Sequence, residues 1–128
     1  MQLNQIVLFS HDINKLSNYL SDLFDLEKEC HTDSVTIYGE HLRFLIVPTS
    51  QNLEFSNVLI DIKAANDTEL FEIKQKIEFL NYRIEPSVDG KVHQTLTFSE
   101  IKEIPNSKFF FFTDTDGRKW KVSSTISI

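Results

Sequence analysis

At 128 residues, with 41% apolar content and a formal charge of −6 from 19 acidic against 13 basic residues, the chain suffices for one compact domain or two small modules sharing a core. The acidic balance opposes phosphate backbones, and the one basic stretch, Arg118-Lys119-Trp120-Lys121, is too short for a duplex footprint, so nucleic-acid binding is not expected. No apolar run approaches the roughly 20 residues of a membrane span, no secretion-signal pattern opens the sequence, and the single cysteine, Cys30, excludes an internal disulfide; a soluble, cytoplasmic protein without membrane contact is expected.

In chain order, Gln2 to Ser10 reads as a strand whose dense apolar residues, Leu3, Ile6, Val7, Leu8 and Phe9, predict cover on both faces. Ser10 or Asp12 can cap the helix that follows, because a short side-chain oxygen accepts from the free N–H groups of the first turn. Ile13, Leu16, Leu20, Leu23 and Phe24 recur at helical spacing over Asp12 to Asp25. Glu27 to Thr32 and Ser34 to Tyr38 read as strands, with Val35 and Ile37 on one side. Gly39-Glu40 makes a turn, and His41 to Val47 is a further strand ended by Pro48.

The order then restarts. Phe55 to Lys63 is strand-like, Asn66 or Asp67 caps a second helix with Leu70, Ile73, Ile77 and Leu80 on its inner stripe, and Tyr82 to Glu85 is a short strand ended by Pro86. Phe109 to Thr113 and Arg118 to Ser124 form a hairpin around Asp114-Thr115-Asp116-Gly117, where glycine supplies a positive φ. Ser87 to Ser107 is extra to the repeat, and Val92 to Phe98 could add a strand within it. The repeat is one of architecture rather than of sequence: strand, helix, three strands, twice.

Three stretches carry a resemblance to a known family. Leu3-Asn4-Gln5-Ile6-Val7-Leu8-Phe9 resembles the opening strand of vicinal oxygen chelate proteins, which usually has histidine where Gln5 stands. Tyr19 to Glu27 is similar to the family's helix end, with Asp25 in place of the common glycine. Phe112 to Val122 resembles its closing hairpin. The resemblance implies an α+β fold in which two βαβββ modules form a curved mixed sheet around a cleft, with helices on the outer face. Module 1 spans about 1–48, a linker about 49–53, and module 2 about 54–128 with an insertion at about 87–107.

In metal-using members each module offers ligands from its first and last strands. The matching positions here are Gln5, Asn57 and Lys121, and Leu42 to Val47 offers no carboxylate. Two neutral amides bind a divalent ion weakly, and a protonated lysine has no lone pair to give. The expectation is therefore no metal and no cofactor. His11, His31, His41 and His93 are scattered singly and read as surface or loop residues, with His41, at the start of a strand, the one that could face the cavity. Cys30 and His31 are adjacent on a strand and point to opposite faces, which precludes a thiolate–imidazole pair.

Alternation along the strands places Gln5, Val7 and Phe9 on the cavity face, with Asn57, Leu59 and Asp61 and then Lys119, Lys121 and Ser123 on the matching faces. This mixture suits a small apolar or aromatic ligand with a polar or anionic group, Lys121 meeting the anion. Trp120 and the Phe109–Phe112 run read as core and sheet packing. The resemblance implies a metal-independent small-molecule-binding protein of the glyoxalase and bleomycin-resistance type, working as a homodimer. Two alternatives stand beside it: a lyase, isomerase or dioxygenase enzyme with an atypical metal site, and a non-catalytic interaction module whose cleft is filled by its own side chains, for instance by a Lys121–Asp61 pair.

Overall fold

The computed structural model describes residues 1–55, 57–82 and 97–125. Contacts divide the chain into two compact units, Met1–Glu54 and Phe55–Ile128.

Unit 1 runs β1 (Ile6–Ser10), α1 (Ile13–Phe24), β2 (Glu27–Cys30), β3 (Val35–Tyr38) and β4 (Arg43–Pro48). Its sheet has the order β1-β4-β3-β2, with β1 parallel to β4 and the remaining pairs antiparallel. Asp12 caps α1, its Oδ1 accepting from Lys15 N at 3.0 Å, while Ser10 Oγ accepts from Asp12 N at 3.1 Å. The helix ends at Asp25, which takes the left-handed conformation (φ 58°) that usually favours glycine. Aspartate is among the few other residues that tolerate it. Leu16, Leu20 and Leu23 are fully buried against Leu8, Val35, Ile37, Phe44 and Ile46 of the sheet's inner face. Each large side chain so buried contributes about 1.5–3 kcal/mol.

Unit 2 runs β5 (Ile60–Lys63), α2 (Asp67–Tyr82), β6 (Lys102–Ile104), β7 (Ser107–Thr113) and β8 (Lys119–Thr125). The sheet order is β5-β8-β7-β6, again with one parallel pair, β5 with β8. Asn66 caps α2, its Oδ1 accepting from Glu69 N at 2.8 Å, and Glu69 Oε1 reaches back to Ala65 N at 3.3 Å. That reciprocal pair satisfies one free N–H of the first turn, that of Glu69, and the N–H of Ala65 just before the cap. Leu70, Ile73 and Ile77 pack on Ile62, Phe110, Phe112, Trp120 and Val122, with the Phe112 and Trp120 rings stacked 5.9 Å apart. The start of α2 is tied to the sheet through Asp67, which accepts from Ser124 Oγ at 2.6 Å and lies 3.2 Å from Lys108 Nζ. The Ser124 hydrogen bond, then that from Lys108, holds the Asp67 carboxyl below its ordinary value.

A buried hydrogen-bond cluster closes the β7–β8 hairpin. Asp114 Oδ1 accepts from Asp116 N (2.9 Å) and Arg118 N (3.1 Å), and Oδ2 accepts from Arg118 NH1 (2.7 Å) and Trp120 Nε1 (2.9 Å). Gly117 sits at φ 89°, as the turn requires. The Arg118 guanidinium stacks over the Phe55 ring at 4.4 Å, so both charges are buried and paired.

The two modules match the α+β, double-βαβββ expectation, with three local corrections. The strand expected from Phe55 begins only at Ile60, because a turn with Val58 N donating to Phe55 O (3.1 Å) occupies its first half. Tyr82 closes α2 and starts no strand, and 83–85 lie outside the described residues. The next strand among the described residues is β6, inside the stretch read as an insertion. Of Val92–Phe98, positions 92–96 lie outside the described residues, and Phe98 makes an isolated bridge to Phe112. The first strand also has an open face: Val7 and Phe9 are 45% and 51% exposed, against the cover predicted for them.

Candidate functional site

Each sheet turns one face to its helix and leaves the other open. On the open face of unit 2, the pairing register sets Asp61 beside Lys121 and Lys121 beside Phe111, and sets Ser123 between Lys63 and Phe109. Lys121 Nζ lies 3.8 Å from Asp61 Oδ2 and 4.7 Å from the centre of the Phe109 ring. Ser123 Oγ donates to Asp61 Oδ1 at 3.0 Å. Lys119 Nζ sits 4.5 Å over the Phe111 ring, and no carboxylate among the described residues pairs with it. Beside it opens a cavity of about 220 Å³, lined by Thr97, Phe98, Ser99, Phe111, Phe112, Thr113 and Lys119. The face therefore offers one ammonium without a carboxylate partner among the described residues, Lys119, and one paired with Asp61, Lys121, over the Phe111 and Phe109 rings.

Half of the Phe109–Phe112 run belongs to this face. Phe110 and Phe112 are buried with Trp120 as predicted, whereas Phe109 and Phe111 are half-buried on the opposite side, their rings edge to face at 5.6 Å. Strict alternation within the run would have found both.

The open face of unit 1 is more apolar. Val7 and Phe9 share it with Leu45 and Val47 across the β1–β4 register. Gln5 lies just before β1, and its Oε1 accepts from Arg43 Nε at 3.4 Å. His41 is in the turn before β4 rather than on a strand; its side chain is 87% exposed, with Nε2 3.8 Å from Glu40 Oε1. His11 Nε2 contacts Gln51 O at 2.6 Å and His31 Nε2 contacts Thr36 Oγ1 at 3.0 Å, while His93 lies outside the described residues. Cys30 is exposed.

The sequence placed Asn57 opposite Gln5 in the second module, but Asn57 is an exposed turn residue. Matching the buried positions gives a different alignment. Leu8 corresponds to Ile62, Ser10 to Ala64, the caps Asp12 and Asn66 to each other, and Leu16 to Leu70. In that register Gln5 corresponds to Leu59, Val7 to Asp61, Leu45 to Lys121 and Arg43 to Lys119. Leu59 itself is 51% exposed and precedes β5.

Asp61 is the one carboxylate among Gln5, Leu59, Asp61, Arg43, Lys119 and Lys121. Gln5 faces a guanidinium, Asp61 is engaged by Lys121 and Ser123, and Leu59 has no donor atom. Among the described residues, no three His, Cys, Asp or Glu side chains lie close enough to hold an ion.

No protein-family model matches the sequence, and no curated protein matches it either. Solved structures do. The fosfomycin resistance protein FosX from Listeria monocytogenes superposes with a TM-score of 0.77 at 16% identity, covering 98% of this chain and 94% of its own. The fold is that of the vicinal oxygen chelate proteins. A glyoxylase/bleomycin resistance protein/dioxygenase domain from Frankia sp. EAN1pec shares this fold with a TM-score of 0.74 at 9% identity, covering 98% of each chain. Lactoylglutathione lyase from Agrobacterium tumefaciens gives 0.68 at 15%, covering 96% of this chain and 92% of that one. At such identities the vicinal oxygen chelate likeness is one of fold. Among the described residues, no helix is long and apolar enough to cross a membrane.

Proposed function

We propose that this chain binds a small organic anion with an aromatic or aliphatic body on the open face of its second sheet, without a metal. The observation that carries the proposal is Lys119, an ammonium with no carboxylate partner among the described residues, set 4.5 Å over Phe111 beside a cavity of about 220 Å³. A cation over a ring and next to an apolar wall can meet an anionic group while the ring receives the ligand's body. Thr97, Ser99 and Thr113 line the rim, their hydroxyls already engaged with one another or with the backbone of Thr97, Glu100 and Phe111.

Lys121 takes a lesser part than its position suggested. With Asp61 at 3.8 Å its charge is partly offset from within the sheet, so it ranks behind Lys119 as the anion contact. Ser123 holds Asp61 in place and thereby keeps Lys121 occupied.

FosX of Listeria monocytogenes has also been solved complexed with Mn(II) and a sulfate ion. Gln5, Leu59, Arg43, Lys119 and Lys121 bring no imidazole or carboxylate, and Asp61 is the one carboxylate among these positions, which supports a metal-independent reading. In the same proposal the chain acts as a homodimer, with the exposed Val7 and Phe9 as apolar surface that pairing would cover. A thermal-shift screen of aromatic and aliphatic carboxylates, run with EDTA and with Mn(II), tests the function. Stabilisation by acids that is independent of the metal supports it, and stabilisation that requires Mn(II) refutes it.

A further inference from the structure

A second groove, of about 310 Å³, lies at the end of the first sheet, where the turn before β4 meets the segment leading into β1. Leu3, Ile6, Leu42 and Phe44 give it apolar walls, and Gln5, Tyr38 and Arg43 give it donors. Its volume is at the lower bound of small-ligand pockets, so any occupant is small.

Arg43 is its centre. A guanidinium carries five N–H donors in a planar fork. Here Nε donates to Gln5 Oε1 at 3.4 Å and the group lies 6.0 Å over the Tyr38 ring, but no carboxylate among the described residues pairs with it. The Gln5 contact fixes the guanidinium at its Nε edge and leaves its terminal N–H groups without a partner among the described residues. Among the described residues, neither the Gln5 amide N–H groups nor the Tyr38 hydroxyl has a hydrogen-bond partner. These donors line the groove together with one carboxylate, that of Glu40.

The one carboxylate in the lining, Glu40, is 88% exposed and has His41 Nε2 at 3.8 Å. It is solvated at the rim and only weakly offsets the guanidinium. The position also repeats chemistry found in the other module, because Arg43 corresponds to Lys119 in the shared register. Both modules thus carry, at one structural place, a cation over an aromatic ring beside a cavity.

We infer that the Gln5–Tyr38–Arg43 groove is a second binding site, for a small planar carboxylate received edge-on by the Arg43 fork. Planarity follows from the fork, which matches the two oxygens of a carboxylate. Apolar walls select an aromatic or short aliphatic body over a hydrated inorganic anion.

The test is a two-dimensional amide NMR titration of the full chain with benzoate, and with benzamide as the uncharged isostere. Saturable shifts at Gln5, Gly39 and Arg43 with benzoate but not benzamide are expected. Arg43→Lys, which keeps the charge but not the fork, should weaken that binding roughly tenfold, and Arg43→Gln should remove it. Glu40→Gln should strengthen it. Lys119→Met should leave these shifts as they are, which separates this site from the one proposed above. Equal shifts with benzamide, or an unchanged apparent Kd in both Arg43 variants, would overturn the assignment. Shifts confined to Phe111 and Lys119 would overturn it too while leaving the other proposal intact.

Discussion

Lys121 Nζ stands 3.8 Å from Asp61 Oδ2, so the residue whose charge should repel a metal is paired by a carboxylate on the neighbouring strand. The Asp61 side chain is half exposed, which makes this a surface pair of small net worth. Replacing Asp61 with Asn should change the unfolding free energy by less than about 1 kcal/mol in a urea titration. It should also free Lys121, and calorimetry should then show benzoate binding about two- to fivefold tighter. Weaker binding in Asp61→Asn would mean that the carboxylate itself helps hold the ligand.

The Asp114 cluster should behave in the opposite way. Its carboxylate accepts four hydrogen bonds and answers the buried Arg118 charge. Asp114→Ala leaves that guanidinium buried without its counter-ion, and a loss of about 3–5 kcal/mol is expected. Urea unfolding followed by Trp120 fluorescence reads it, since the indole N–H loses its acceptor in the same step. A loss below about 1 kcal/mol would show that water replaces the carboxylate readily.

Acid should loosen the join between α2 and its sheet. The Asp67 carboxyl is held below its ordinary value first by the Ser124 hydroxyl, then by Lys108. A carboxyl lowered on folding contributes stability at pH above its unfolded value, and that contribution is lost as pH falls through the folded one. Ser124→Ala should therefore raise the Asp67 pKa, as followed by carboxyl carbon NMR, and narrow this acid-sensitive range. No movement of Asp67 in that variant would assign the lowering to Lys108 instead.

Much of this architecture is legible in the sequence, for physical reasons that also explain the misses. The α1 stripe and its Asp12 cap are strong local signals, and the structure returns them as the helix Ile13–Phe24 with that cap in place. The β8 alternation put Lys119, Lys121 and Ser123 on one face, where they lie with Trp120 and Val122 buried behind them. By contrast β6, Lys-Glu-Ile, is three exposed residues on a sheet edge, too short and too polar to show a strand period. Residues Phe55–Leu59 look apolar enough for a strand, yet Phe55 is drawn aside to stack on Arg118, a contact made by a residue far along the chain. The roles of Phe109 and Phe111 needed the register against β8, and Arg43 drew no notice because its neighbours Gln5 and Tyr38 come from separate strands' ends.

Metal content gives a further check. Protein purified without chelator should carry far less than one equivalent of Mn, Fe, Ni or Zn by mass spectrometry, and added Mn(II) should not raise its melting temperature, because Asp61 is the one carboxylate among the compared positions and none of them brings an imidazole. A stoichiometric ion would place ligands elsewhere in the chain and remove the basis for a metal-free site.

The most direct test is isothermal titration of benzoate into the wild-type chain and into Lys119→Met, both in EDTA. Saturable binding by the wild type, at least about tenfold weaker in the variant, is the predicted result, given what one hydrogen bond to a charged group contributes. Equal affinity in the two proteins, or binding that appears only when Mn(II) replaces EDTA, would contradict it.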